Sequence, residues 1–189
     1  MGQLSREAIE GMGFAAVGRN VLLSDKASFY NCAHIRIGDN VRIDDFCVLS
    51  AGRGGIVLGS FIHVAVQSTL IGAGRIELGD FCNLSSRVAL YSSSDDYSGA
   101  TMTNPMVPAA FTGVTHADVV LGRHVIVGSG SVVLPGVRLE DGVAVGALSL
   151  VTRDCAAFGI YAGNPARRIK ERKRELLQLE QQFLQSLQG

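Results

Sequence analysis

Aliphatic residues or Phe return along this chain on a beat of six: Val17, Leu23, Phe29, Ile37, Ile43, Leu49, Leu58, Val64, Leu70, Leu78, Leu84, Leu90, Leu121, Val127, Val133, Leu139, Val145 and Val151. The step lengthens slightly after Phe29, Leu49 and Leu70, and by a large insertion after Leu90. Six fits neither the 3.6-residue period of an α-helix nor a plain alternating strand, so the unit is a short strand plus a corner, repeated as a solenoid. A second register follows four residues after most beats and is filled by small residues such as Val41, Cys47, Ser68, Cys82, Ser131, Ser149 and Cys155. A slim residue beside a bulky one suits a narrow prism. Glycines just after the beat, among them Gly18, Gly38, Gly59, Gly79, Gly122, Gly128 and Gly146, suit tight backbone turns.

Where the beat is missing, other structure is predicted. Residues 1–16 read as a cap, with Ser5 before a short helix through Arg6–Glu10. Residues 17–155 are the solenoid. Within it, 91–118 drop the beat and collect Pro, Ser, Asp, Asn and Gly, which predicts a long irregular loop projecting from one corner. Residues 156–189 form a terminal turn ending at Pro165, then a helix from Ala166 with Ile169, Leu176, Leu177, Phe183, Leu184 and Leu187 on one side. That helix is expected to cover the open end of the prism.

Composition changes this picture little. With 17 basic and 17 acidic residues the formal net charge is +0, so bulk electrostatics gives no case for nucleic acid or for a membrane surface. No apolar run is long enough to span a bilayer and the first ten residues lack a signal-peptide layout, which predicts a cytoplasmic protein. Cys32, Cys47, Cys82 and Cys155 form no CxxC pair and read as small buried hydrophobes.

The repeat, the passage GSGSVVLPGVRLEDGVAVGALSLVTRD and the turn YAGNPARRIK resemble the hexapeptide-repeat acyltransferases of the sugar O-acetyltransferase type. The resemblance implies a mainly β fold, a left-handed parallel β-helix with three faces and about six coils. It also implies a homotrimer with coenzyme A held between subunits, acetyl-CoA as cosubstrate and no metal. Ser129, Ala147, Thr152 and Arg153 then fall where the family lines the pantetheine channel, and Arg167 and Lys170 where it meets the nucleotide phosphates. Ile126 stands where many sugar acetyltransferases place a Trp.

The family's catalytic His, near the start of the projecting loop, is replaced here by Asp95, followed by Asp96 and Tyr97. An Asp, with a reference pKa of about 3.9, is a feeble base toward a hydroxyl. His63, five past Leu58, points outward in one column with Arg42, Asn83 and Ile126, and its imidazole is suited to accept a proton or orient the acceptor. His124 is the next candidate base; Asn83, Asp96 and Tyr97 are candidate acceptor contacts.

The expected activity is O-acetylation of a sugar hydroxyl for surface polysaccharide or lipopolysaccharide by direct, base-assisted attack on the thioester. N-acetylation of a nucleotide-linked amino sugar is the alternative, because an amine attacks with less help from a base. A metal-dependent carbonic anhydrase needs three convergent histidines, and His34, His63, His116 and His124 lack that spacing. A non-catalytic binding solenoid leaves the loop and the cationic turn unexplained.

Overall fold

The computed structural model describes residues 2–187. Its strands stack into three parallel sheets, one per face of a β-solenoid. The first face runs from Ala16–Val17 to Arg138–Leu139, the second from Leu22–Leu23 through Ala144–Val145, and the third from Ser28–Tyr30 to Leu150–Val151. Beat residues pair with beat residues from coil to coil: Ile37 with Leu58, Leu58 with Leu78, and Leu78 with Leu121 across the large insertion. Sixteen of the eighteen are buried; Val17 and Phe29, at the first coil, are partly buried against the core.

Six coils have all three faces, and a seventh level is begun by Gly159–Ala162, which stacks on Ala144–Val145. The six complete coils are those the repeat predicts, and the second face alone continues past residue 155 with additional strands. The segment from Ala166 is not helical at first. Arg167–Glu171 is a strand, antiparallel to Gly159–Ala162, and the helix α2 spans only Leu176–Ser186. The physical reason is the open sheet edge: Gly159–Ala162 presents unpaired backbone groups, and pairing them outweighs the helical preference of the charged run. Ile169 consequently sits on the strand and is exposed.

Nor does α2 lie across the end of the prism. With the residues before it, it descends along the corner between the first and second faces. Arg174 lies over the ring of Phe158 at 4.5 Å, Arg172 Nη1 donates to the carbonyls of His124 and Gly142 at 2.7 and 3.0 Å, and Phe183 meets Phe61 edge-on at 5.2 Å. At the opposite end α1, Arg6–Gly11, is capped by Ser5, whose Oγ accepts from Ala8 N at 3.1 Å, and it buries Ile9.

That same corner repeats a left-handed residue, occupied by Asn20, Asn40, Phe61, Phe81 and His124 at φ of 52, 57, 59, 62 and 58°. Left-handed backbone costs an ordinary residue about 1–2 kcal/mol. Stacking up the column offsets this: Asn20 Nδ2 donates to Asn40 Oδ1 at 2.8 Å, Phe61 and Phe81 stack at 4.9 Å, and so do Phe81 and His124.

The glycines after the beat serve a different purpose from the turn geometry expected of them. None of Gly18, Gly38, Gly59, Gly79 and Gly122 is left-handed. They are needed because the next coil passes too close for a side chain: a Cβ on Gly128 would lie 2.5 Å from Ala147 N, and one on Gly38 would collide with the Gly59 carbonyl. Gly38→Ala should therefore destabilise the protein by about 1–3 kcal/mol, measured as a lower urea midpoint with an unchanged slope.

Candidate active site

The projecting loop is tied at its base. Ser93–Ser94 pairs antiparallel with Thr115–His116, and Ser93 Oγ lies 2.8 Å from His116 Nδ1. Asp95, exposed, follows this two-stranded neck and lines two cavities. One, of about 710 Å³, is walled by Ile71, Val107, Pro108, Ala109 and Val114 with His116 and Asn104. The other, of about 440 Å³, holds Tyr91, Tyr97, Val132, Leu134 and Pro135.

Asp96 points elsewhere. Its carboxylate accepts from Ser98 N at 2.8 Å, Thr101 N at 2.9 Å and Thr101 Oγ1 at 3.0 Å, and hydrogen bonds from Ser98 and Thr101 lower its pKa to about 2. The two neighbouring acids thus differ: Asp96 braces the loop, and Asp95 faces the cavities.

The outward column of the second face is as its spacing predicts, with His63 in register with Arg42 below, Asn83 above His63, and Ile126 above Asn83. His63 is half-buried, and its Nε2 lies 2.8 Å from Asp44 Oδ2. Arg42 Nε donates to the other oxygen of Asp44 at 2.7 Å. Burial works against the Asp44 charge, yet the hydrogen bonds from His63 and Arg42 outweigh it and hold the carboxyl below the usual carboxylate range. Asp44 is legible in hindsight: it follows the beat residue Ile43 and stands two past Arg42 on the same face. Asn83 Oδ1 is buried with no hydrogen-bond partner.

Within one chain His63, on the second face, and Asp95, beyond the end of the third, are not brought together. His124 is engaged in packing. Its ring stacks on Phe81, and Nε2 lies 2.7 Å from Glu180 Oε2 on α2, whose other oxygen pairs with Arg123. Burial opposes the Glu180 charge, but these partners keep its carboxyl below the ordinary range.

In the last coils Arg153, Arg167 and Arg168 border a cavity of about 230 Å³ with Tyr161. Ser129 and Ala147 lie at the corner before the top strands of the third face, where Leu148 N donates to the Ser129 carbonyl at 2.9 Å; Thr152 and Arg153 follow the uppermost of these strands. Lys170 is on the edge strand opposite Ile160. Asp154 shares the cavity and Arg168 is paired with Glu171, which leaves the guanidinium groups of Arg153 and Arg167 suited to phosphate. The thiols are set for packing: burial pushes Cys82 up to about 12 and Cys155 to about 11, and Cys82 Sγ donates to the Gly122 carbonyl at 3.0 Å. Among the described residues no three His, Cys, Asp or Glu side chains gather as metal ligands, and no helix is long and apolar enough to cross a membrane.

A parallel solenoid interrupted by one long loop, with a cationic cleft in its final coils, defines a hexapeptide-type acyltransferase. The dTDP-4-amino-4,6-dideoxy-D-glucose acyltransferase of Escherichia coli is 52% identical over 189 residues, 100% of this chain and 98% of that protein. AntD, an N-acyltransferase from Bacillus cereus solved with dTDP and 3-hydroxybutyryl-CoA, superposes with a TM-score of 0.96 at 43% identity, covering 100% of both chains. AntD has also been solved with one serine changed, in complex with dTDP-4-amino-4,6-dideoxyglucose and coenzyme A, and with an aspartate ten positions later changed, in complex with dTDP and coenzyme A. The putative lipopolysaccharide biosynthesis O-acetyl transferase WbbJ of E. coli strain K12 is 27% identical over 188 residues, 86% of this chain and 90% of that one. No family model matches. The chain belongs to the β-solenoid acyltransferases that act on sugars and draw the acyl group from coenzyme A thioesters.

The Asp96 brace has a defined pH window. Its folded-state pKa is depressed from 3.8 to about 2, so its contribution to loop order is complete above about pH 4 and is lost as pH falls through 2. At neutral pH Asp96→Ala should speed amide exchange at Ser98 and Thr101 while the coil amides stay protected, as read by hydrogen–deuterium exchange.

Proposed function

We propose that this protein transfers an acetyl or other short acyl group from coenzyme A to the amine of a nucleotide-linked amino sugar. This replaces the O-acetylation expected from the sequence. The observation that carries it is the whole-length 52% identity to an acyltransferase of a dTDP-linked 4-amino sugar. The chemistry of the loop agrees. A carboxylate at the place of the family's histidine is weak as a base toward a hydroxyl, but it is well matched to an ammonium group through a charge-assisted hydrogen bond. Asp95 and Ser85 here are separated by ten positions, the spacing of the altered aspartate and serine in AntD.

In this reading Asp95 holds the acceptor nitrogen and Tyr97 flanks it. His63 takes the proton, and Asn83, next above it in the column, flanks the same acceptor. Since one chain keeps His63 and Asp95 apart, the site is completed between subunits of a homotrimer, with the loop of one chain over the second face of the next. Ser129, Ala147 and Thr152 flank the pantetheine arm, and Arg153, Arg167 and Lys170 meet the nucleotide phosphates. Asp96 and His124 serve the loop and α2. We assign the reaction to the cytoplasm, where acyl-CoA and nucleotide sugars occur together.

Purified protein should acylate dTDP-4-amino-4,6-dideoxyglucose and leave dTDP-glucose unchanged, followed by thiol release and product mass. Transfer to the hydroxyl sugar alone would overturn the reading. Asp95→Asn should lower kcat/KM for the amino sugar about tenfold to a hundredfold, the value of a charged hydrogen bond of about 1.5–3 kcal/mol, with KM for acyl-CoA unchanged. Arg153→Ala with Arg167→Ala should show the opposite split, raising KM for acyl-CoA while acceptor saturation is nearly unaltered.

A further inference from the structure

Asp44 accepts from Arg42 at one oxygen and lies 2.8 Å from His63 Nε2 at the other. A guanidinium is a permanent cation and an ionised carboxylate can only accept, so the proton between Asp44 and His63 belongs to Nε2. In the neutral ring that leaves the lone pair on Nδ1. One coil higher and in register is Asn83, whose side-chain oxygen is buried without a partner beneath the outward surface. Stacked strands are about 4.8 Å apart, so Asn83 stands directly above His63 in the outward column, and a substrate ammonium carries several N–H donors, one of which can meet Nδ1.

We propose that Asp44 is a positioning residue for acyl transfer: held by Arg42, it fixes His63 in the tautomer whose Nδ1 removes a proton from the acceptor ammonium. The inference rests on the amino-sugar reading above. The ammonium loses one proton to Nδ1, and the freed nitrogen lone pair attacks the thioester carbon. The C–S bond breaks as the amide forms, the nitrogen's surplus proton passes to the departing thiolate, and His63 returns its proton to solvent. The charged groups facing His63 are Arg42 and Asp44 on the coil beneath, and Asn83 above is neutral. Asp44 therefore supplies the anion that stabilises the imidazolium formed in the first step.

The test is the pH profile of kcat/KM for dTDP-4-amino-4,6-dideoxyglucose in the full-length protein, with Asp44→Asn, Asp44→Glu and His63→Gln. Asp44→Asn should lower kcat about tenfold or more and move the acidic limb to lower pH, because the imidazolium loses its anionic neighbour. KM for acyl-CoA should stay constant, Asp44→Glu should restore part of the loss, and His63→Gln should abolish the limb. A wild-type limb and kcat in Asp44→Asn, or a retained limb in His63→Gln, would overturn the proposal. If wild-type protein made no N-acyl product at all, the functional reading would fail instead. The ring-nitrogen NMR signals of His63 then decide: an Nε2–H tautomer perturbed by dTDP plus coenzyme A, and lost in Asp44→Asn, supports the role, while signals unmoved by either refute it.

Discussion

Everything in this molecule depends on each coil lying flat on the one below. The bulky beat residues fill the interior layer by layer, and the backbone amides of one coil bond to the carbonyls of the next. At several corners after the beat this contact is too close for any side chain, as the clash of a Cβ at Gly38 or Gly128 shows. Side chains therefore have one direction left for chemistry, outward from the middle of a strand or from a corner. The column of Arg42, His63, Asn83 and Ile126 is a direct product of that stacking.

The same regularity limits what a single chain can assemble. Groups on one face line up vertically, as Arg42, His63 and Asn83 do, but groups on different faces are separated by the packed interior. Only an insertion escapes the constraint, and the loop 91–118 does so on a two-stranded neck. Its paired acids show how local geometry divides labour between neighbours. Asp96 is enclosed by amide and hydroxyl donors of its own turn, and Asp95 is left facing the cavities.

The C-terminal segment solves the problem that a solenoid cannot solve by repetition, its open edge. Arg167–Glu171 closes the last sheet, after which α2 turns down the flank and docks on the ladder of Phe61, Phe81 and His124. At three successive left-handed corners, Phe61, Phe81 and His124, the aromatic rings stack upon one another from coil to coil. His124, a plausible base in isolation, is drawn into this ladder and into the pair with Glu180.

The six-residue beat by itself determined the solenoid, its register, the outward direction of His63 and the place of the loop, since each follows from which positions are apolar. It also placed the arginines of the final turn near the end of the column. Tertiary structure alone decided the rest. That Asp44 binds His63, that His124 packs against α2 and that Arg167–Glu171 is a strand all depend on neighbours nineteen or more residues away in sequence or on an unpaired sheet edge. Periodicity records which way a side chain points; which partner waits there is set only when the coils stack.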